Sequence, residues 1–407
     1  MKERSLRIAM LSVHSCPVGQ PGSRDTGGMN VYIRELAAAL GRQGHRVDIF
    51  TRAHDPRDAA VELLAPGVRL VHLRAGAVEE MGKLTQYNHL AEFEANLESF
   101  IAGTHYDLIH SHYWLSGEVG RRLAARLGIP HVFAFHTVGA AKDELGLGEA
   151  EPALRLLTEA EISAACHRVL CGTEKEELTV RRHHPGAADR IVISPCGVNP
   201  VLFRPMDRTG SRRILGLPER PLVLYVGRLD KLKGIDRLVT ALGLMQNNSA
   251  GLLVVGGDDY SRATQERLRA QASAEGVADR VVFHDAAPQS RLPYYYAAAD
   301  VVAVPSYSET FGMVALEALS CGRPVVSTDV GAARDIIKEG ISGTVTAGNV
   351  PEMMAAALDG WLDQPAPPAE ELQQSVAAFR WDAVAARVTA VYLSVATEEE
   401  MEVCTNG

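Results

Sequence analysis

Short, almost wholly apolar runs alternate along the chain with stretches whose apolar positions recur every three or four residues. In the first half the runs are "RIAMLSV", "RVDIFTR", "YDLIHSH" and "HVFAFHT", separated by helical patterns such as "MNVYIRELAAALGRQGH" and "GEVGRRLAARLG". Runs this uniform predict strands buried on both faces, hence a parallel sheet with helices on either side. After "RIVISPCGVNPVLFRP" the alternation restarts with "PLVLYVGRL", "GIDRLVTALGLM", "GLLVVGG", "RATQERLRAQASAEG", "RVVFHD", "YYYAAADVVAVPS" and "PVVSTDV". Proline and glycine punctuate elements rather than continue them, so the stretch from Pro195 to Pro205 reads as a hinge. The expected fold is α/β: two Rossmann-like, doubly wound parallel-sheet domains facing a central cleft. Their expected bounds are residues 1–198 and 199–375, followed by a helical segment and tail over 376–407. The helical pattern "FRWDAVAARVTAVYLSVA" suits a helix closing the second domain or one crossing back onto the first, and periodicity does not choose between them.

Composition agrees with two ordinary cores. The chain has 407 residues, 46% hydrophobic and 22% charged, and this length exceeds one typical core. A formal net charge of -9 makes a broad footprint for nucleic acid or anionic membrane unexpected, so an anionic ligand must be met by local basic residues. The six cysteines are scattered without the close pairs of a zinc site or the density of a disulfide scaffold, and read as reduced thiols of a cytoplasmic protein. "MKERSLRIAMLSVHS" reads as a first strand rather than a leader, since Arg7 interrupts its apolar run. No run approaches the roughly 18 apolar residues of a membrane span.

Three loop motifs carry candidate chemistry. "GGMN", Gly27 to Asn30, follows the first strand and opens a helix, where glycine admits close backbone approach and helix N–H groups meet an anion. The same four residues also suit a plain strand-to-helix turn. "VGRLDKLKG" sets Arg228 and Lys233 in a loop after a strand and ahead of Gly234, a natural diphosphate clamp at a sheet's carboxyl edge. "SYSETFGMVALEAL" follows a buried strand with Glu309, a helix start, and then Glu317 among apolar neighbours. Carboxylates accept paired hydrogen bonds from vicinal hydroxyls, so two of them flanking an anion site suit a sugar nucleotide. The plainer features are "GGDD" at Gly256 to Asp259, read as no metal site; His110 and His112, read as core hydrogen-bonders; "RRHHPG", read as a solvated loop; and "YYY" at Tyr294 to Tyr296, read as helix packing.

Taken in order, "SVHSCPVGQPGSRDTGGMNVY", "IFTRA", "YDLIHSHYWLSG", "FHTVGAAK", "VGRLDKLKG" and "VAVPSYSETFGMVALEA" resemble the retaining family 4 glycosyltransferases of the GT-B fold, whose hallmark is Glu, seven residues, Glu. The resemblance covers nearly the whole chain. Within that family it is strongest to the mycothiol-pathway transferases acting on inositol phosphate, with bacterial sucrose-phosphate synthases as near relatives. It implies that Glu309 contacts the donor sugar together with backbone N–H groups of Phe311, Gly312 and Met313. Glu317 would hold the ribose, Arg228 and Lys233 the diphosphate, and Gly28 would approach the latter. His136 would lie beside the donor sugar and help orient the reacting centre. Asn30, Lys83, Tyr113, Thr137 and Arg155 would hold the acceptor and its phosphate.

The implied partners are a nucleotide-sugar donor, UDP-linked by resemblance, and a small acceptor, with no further cofactor and no metal; a homodimer is compatible. "EEMGKLTQYNHL" lacks the Pro-Thr-Gln run that follows the lysine in relatives, and Ala287 stands where relatives commonly have a basic residue near the base. These departures leave acceptor and base open, and with them a phosphorylated against an unphosphorylated or unusual antibiotic-pathway acceptor; no residue reads the one substituent that separates glucose from N-acetylglucosamine. A nicotinamide-dependent oxidoreductase would share the alternation but needs GxGxxG, which "GSRDTGG" does not supply. A phosphorylase of similar architecture needs a pyridoxal-phosphate lysine, for which none can be assigned. An idle sugar-nucleotide-binding protein would be favoured by a missing clamp or glutamate, and all are present.

Overall fold

The computed structural model describes residues 4–19, 27–146, 149–257 and 261–406, the last nine of these by backbone alone. Asp258 and Asp259 of the "GGDD" segment, and most of the glycine-rich loop before Gly27, lie outside the described residues. The chain divides into two compact units, one of Met1–Gly19, Met29–Pro195 and Trp381–Gly407, the other of Gln20–Gly28 and Cys196–Arg380.

Among the described residues the first unit holds an eight-stranded sheet. Its strands are β1 (Arg7–Leu11), β2 (Arg46–Arg52), β3 (Val61–Ala65), β4 (Val68–Leu73), β5 (Leu108–His112), β6 (His131–Ala134), β7 (Arg168–Cys171) and β8 (Ile191–Ile193). Their spatial order is β3-β4-β2-β1-β5-β6-β7-β8. Ile8, Ala9, Met10 and Leu11 of β1 are all buried, as a central parallel strand covered on both faces requires. β1 pairs in parallel with β2 and with β5, so the strand order reverses direction at the β1/β5 boundary. The sheet is not wholly parallel: β3 runs antiparallel to β4. Its exposed Val61 and Leu63 fit an edge strand, and the sequence pattern had not marked it.

The second unit holds a parallel six-stranded sheet of β9 (Leu222–Val226), β10 (Gly251–Val255), β11 (Val281–His284), β12 (Val301–Val304), β13 (Val325–Thr328) and β14 (Gly343–Thr346). The order β11-β10-β9-β12-β13-β14 places the reversal between β9 and β12. In open α/β sheets ligands bind outside the carboxyl ends of the strands at such a reversal. The loops leaving β9 and β12 are those that carry Arg228, Lys233 and Glu309.

The helix Trp381–Asn406 crosses back and packs in the first unit. Trp381, Val384, Ala385, Val388, Tyr392 and Val395 are buried, a helical stripe at three- and four-residue spacing. Burying one such valine or larger apolar side chain is worth roughly 1.5 to 3 kcal/mol. Polar contacts set the register: Arg42 Nη2 lies 2.7 Å from Asp382 Oδ1, His45 Nε2 lies 3.1 Å from Thr389 Oγ1, and His110 Nδ1 lies 2.7 Å from Tyr392 Oη.

Candidate functional site

In the second unit β9 ends at Val226 and the chain runs through Arg228 into a single 3-10 turn, Lys231–Lys233. Gly234 then adopts φ +63 and starts the helix Ile235–Leu244; a Cβ there would collide with the Pro305 carbonyl oxygen. That close approach draws the β9 loop onto the β12 loop, and Tyr307 N–H donates to the Leu232 carbonyl at 2.8 Å. Lys233 Nζ consequently lies 2.7 Å from Glu309 Oε1, and Ser306 Oγ donates to the same oxygen at 2.7 Å. Both members of the ion pair keep partial solvent access, with side-chain exposures of 20% and 17%. Arg228 is more open and lies 3.1 Å from Asp230, while its carbonyl accepts from Tyr225 Oη at 2.7 Å.

Beyond Glu309 the chain reaches Phe311, which is buried, and Gly312 with φ +101, a left-handed conformation costly for other residues. The helix Met313–Ser320 begins there. A helix's first turn presents N–H groups that lack intrahelical partners and favour negative charge. Glu317 sits in its second turn, buried, and Oε2 accepts from Tyr296 Oη at 2.6 Å. Burial and this carboxylate hold the Tyr296 phenol protonated, its pKa pushed well above the usual value. Tyr296, read from the sequence as packing, therefore also holds one carboxylate oxygen of Glu317. The tyrosine run on a helix signalled burial but carried no sign of its hydroxyl partner.

In the first unit the chain just past β5 and just past β6 carries a residue held in the left-handed region, Tyr113 at φ 72 and His136 at φ 58. Among the described residues these are the two non-glycine positions with positive φ. Bulky side chains rarely adopt that conformation, and such strain persists where packing over-determines it, often at functional sites. The Tyr113 ring has the Arg155 guanidinium 4.8 Å and the Lys83 ammonium 5.9 Å from its centroid, within cation–π range, and the His14 ring at 4.4 Å. Arg155 Nη2 donates to the Thr137 carbonyl at 2.8 Å and to Thr137 Oγ1 at 2.9 Å. Asn30 is buried and donates to Ser15 Oγ at 2.6 Å and to the Cys16 carbonyl at 2.8 Å. The fold thus gathers Lys83, Tyr113, Thr137 and Arg155 at one edge of the sheet.

Arg155 is less available than its charge suggests. Its side chain is 2% exposed, with Nε 2.7 Å from Glu159 Oε1 and Nη1 2.9 Å from Glu151 Oε2. Burial opposes its charge, but Glu159 and Tyr113 outweigh that and keep its pKa above the usual value. Lys83 by contrast opens the short helix Lys83–Tyr87 and is exposed. His14 was missed in the sequence although it stands at the carboxyl end of β1. Its pKa is pulled well down, first by burial and then by the charges of Lys83 and Arg155. Nδ1 is buried without a hydrogen-bond partner among the described residues. "RRHHPG" is also not simply solvated: Arg181 to His183 close the helix Glu174–His183, and His184 is buried against Phe135 with ring centroids 4.9 Å apart.

Burial lowers the pKa of His14, His110 and His112 well below the usual value, that of His131 and His136 to about 3, and that of His184 to about 4. Each ring binds its proton more readily in the unfolded chain. Their effect is nil above the unfolded pKa near 6.5 and destabilises increasingly as pH falls toward the folded values, by about 1.4 kcal/mol per pH unit per ring. Glu176 acts oppositely: burial raises its carboxyl to about 7, so its contribution is present below the unfolded value and lost as pH rises through about 7. The histidines outnumber it. Unfolding in urea is expected to show stability falling steadily from pH 7 to pH 5; constant or rising stability over that range would contradict the buried neutral rings.

Residues 27–197 match the glycosyl transferase 4-like domain and residues 207–378 the glycosyl transferases group 1. A D-inositol 3-phosphate glycosyltransferase of Acidothermus cellulolyticus is 40% identical over 408 aligned residues, spanning 96% of this chain and 91% of the relative. Its counterpart in Streptomyces scabiei is 39% identical, spanning 95% and 90%. Among solved structures, sucrose-phosphate synthase from Thermosynechococcus elongatus is similar with TM-score 0.87 and 33% identity, covering 96% of this chain and 99% of the other. An Anabaena protein in complex with UDP and glucose shares the fold at TM-score 0.76 and 20% identity, covering 96% and 100%. The two parallel-sheet α/β units are those of GT-B glycosyltransferases.

Proposed function

This chain belongs to the group 1, 4-like glycosyltransferases, and from that premise we propose that it moves a glucosyl or N-acetylglucosaminyl unit from a UDP-linked sugar to a small phosphorylated cyclitol such as inositol phosphate. Transfer proceeds with retention, on one face of the sugar, through an oxocarbenium-like transition state. The second unit binds the donor. Glu309 and the N–H groups of Phe311, Gly312 and Met313 take the sugar hydroxyls, Glu317 the ribose, and Arg228 and Lys233 the diphosphate, with Gly28 approaching it. His136 lies beside the sugar. Charge building on the leaving phosphate is met by the two cations and the helix start, which is preorganised electrostatic stabilisation. The departing phosphate oxygen takes the proton of the attacking hydroxyl, so atoms and charge balance without a protein nucleophile.

The observation that carries the acceptor assignment is the grouping of Lys83 and Arg155 around the strained Tyr113, with Thr137 held by Arg155. A cationic group of this kind suits a phosphate. A second reading, an unphosphorylated or unusual acceptor as in an antibiotic pathway, draws on a different observation. Glu151 and Glu159 already offset the charge of Arg155.

Transfer assays with UDP-glucose and UDP-N-acetylglucosamine against inositol phosphate, inositol and fructose 6-phosphate separate these readings. Inositol phosphate is expected to be glycosylated at least tenfold faster than inositol, with the α-anomeric configuration of the donor kept in the product. Equal rates, or preference for the unphosphorylated compound, support the second reading. An inverted anomeric centre rejects the same-face mechanism.

A further inference from the structure

His136 does not stand alone in its strained conformation. Its Nε2 lies 2.9 Å from His112 Nδ1, and its ring meets the edge of Tyr32 at a centroid separation of 5.3 Å. Tyr32 also rests edge-on against His112 at 5.8 Å and against Trp381, the first residue of the C-terminal helix, at 5.6 Å. On the other side the His112 ring packs on His110 at 4.1 Å, and His110 Nδ1 lies 2.7 Å from Tyr392 Oη of the same helix. The C-terminal helix therefore buttresses His136 along two routes, through Tyr32 and through the two histidines of β5.

The contact between His112 and His136 also bears on where a proton sits. Both rings are neutral, so one nitrogen of each carries hydrogen. His112 Nε2 is buried and has no hydrogen-bond partner among the described residues. A buried orphan N–H is rarer and costlier than a buried lone pair left unfilled. The proton of His112 therefore resides on Nδ1 and is donated to His136 Nε2, which accepts and so cannot carry hydrogen itself.

We propose that His112 is a positioning residue that fixes the Nδ1-protonated tautomer of His136, so that His136 offers a reacting sugar a hydrogen-bond donor and not a base. The functional half of this inference rests on the assignment of His136 to the donor sugar; the tautomer does not. The ring nitrogen that makes one bond dictates the role of the other, and here the bond is made inside the protein, away from substrate. Asparagine places its amide N–H where His112 Nδ1–H stands, whereas phenylalanine keeps the bulk and removes the donor.

The test is long-range proton–nitrogen NMR on the 15N-histidine-labelled full chain, with His136 assigned from the spectrum of His136→Gln. In the parent and in His112→Asn, His136 is expected to show Nδ1 protonated and Nε2 bare. In His112→Phe that preference should be lost, with kcat falling roughly tenfold to a hundredfold and the donor KM within about twofold of the parent. His112→Asn should restore most of kcat. A parent His136 protonated on Nε2, or a His112→Phe variant with unchanged tautomer and kcat, overturns the proposal. If His112→Phe does not fold, the parent spectrum and the rescue by His112→Asn decide. If the tautomer is as inferred but His136→Gln transfers sugar at the parent rate, the donor-site role of His136 fails and the tautomer assignment stands.

Discussion

Lys233→Ala is expected to lower kcat/KM by a hundredfold or more while leaving the folded state nearly intact. Its ammonium ends a 3-10 turn at the β9/β12 reversal, 2.7 Å from Glu309. Removing one preorganised charge that faces a developing oxyanion costs about 3 kcal/mol in the barrier. The same ion pair is partly solvated, and pairs of that kind contribute at most about 1 kcal/mol to stability. The sequence alone presented Lys233 as an exposed loop cation; the structure shows it tied to the carboxylate assigned to the donor sugar. The variant therefore also releases Glu309, which keeps its hydrogen bond from Ser306. A double-mutant cycle with Glu309→Gln separates the two contributions: strongly non-additive losses mean the lysine acts largely by aiming the glutamate, additive ones that it meets phosphate directly. Turnover of Lys233→Ala within about twofold of the parent would reject the clamp.

The second large effect concerns the acceptor, and here the structure separates two residues that the sequence treated alike. Lys83→Met removes an exposed ammonium beside Tyr113. It is expected to raise KM for a phosphorylated acceptor about tenfold, with donor affinity and thermal stability close to those of the parent. Arg155→Met takes the guanidinium from the buried carboxylate of Glu159, which keeps the Gly139 N–H at 2.9 Å, and from Glu151, which stays paired with Lys142; uncovering a buried carboxylate in this way typically costs about 3 to 5 kcal/mol of stability. Its loss of activity would therefore arrive together with a lowered Tm. Arg155→Lys keeps the charge but not the planar fork that spans Glu159, Glu151 and Thr137. It should fold better than Arg155→Met while still weakening the acceptor. Measured KM and Tm for phosphorylated and unphosphorylated versions of one acceptor check both expectations. A Lys83→Met variant that affects the two acceptors equally would remove the phosphate assignment.

Much of this molecule was legible along the chain because its signals are local. Uniform apolar runs predicted strands covered on both faces, and their alternation with helical spacing predicted parallel sheets, to which the antiparallel edge strand β3 is the exception. Glycine and proline marked the loops at strand ends, which placed Arg228, Lys233 and Glu309 at carboxyl edges from sequence alone. The order and identity of those motifs carried the resemblance to glycosyltransferases. What lay beyond reach depends on contacts between distant segments. Lys233 and Glu309 are 76 residues apart, and only the adjacency of β9 and β12 brings them together. The hydroxyl of Tyr296, the carboxylates around Arg155 and the ring nitrogen of His14 that has no partner among the described residues depend on side-chain directions that no spacing encodes. The C-terminal helix shows the division most plainly. Its apolar stripe was visible as periodicity, because period reports that one face is buried. Which surface buries it was decided by shape and by the polar groups of Arg42, His45 and His110 that receive it, since apolar burial is nearly indifferent to partner and the hydrogen bonds are not.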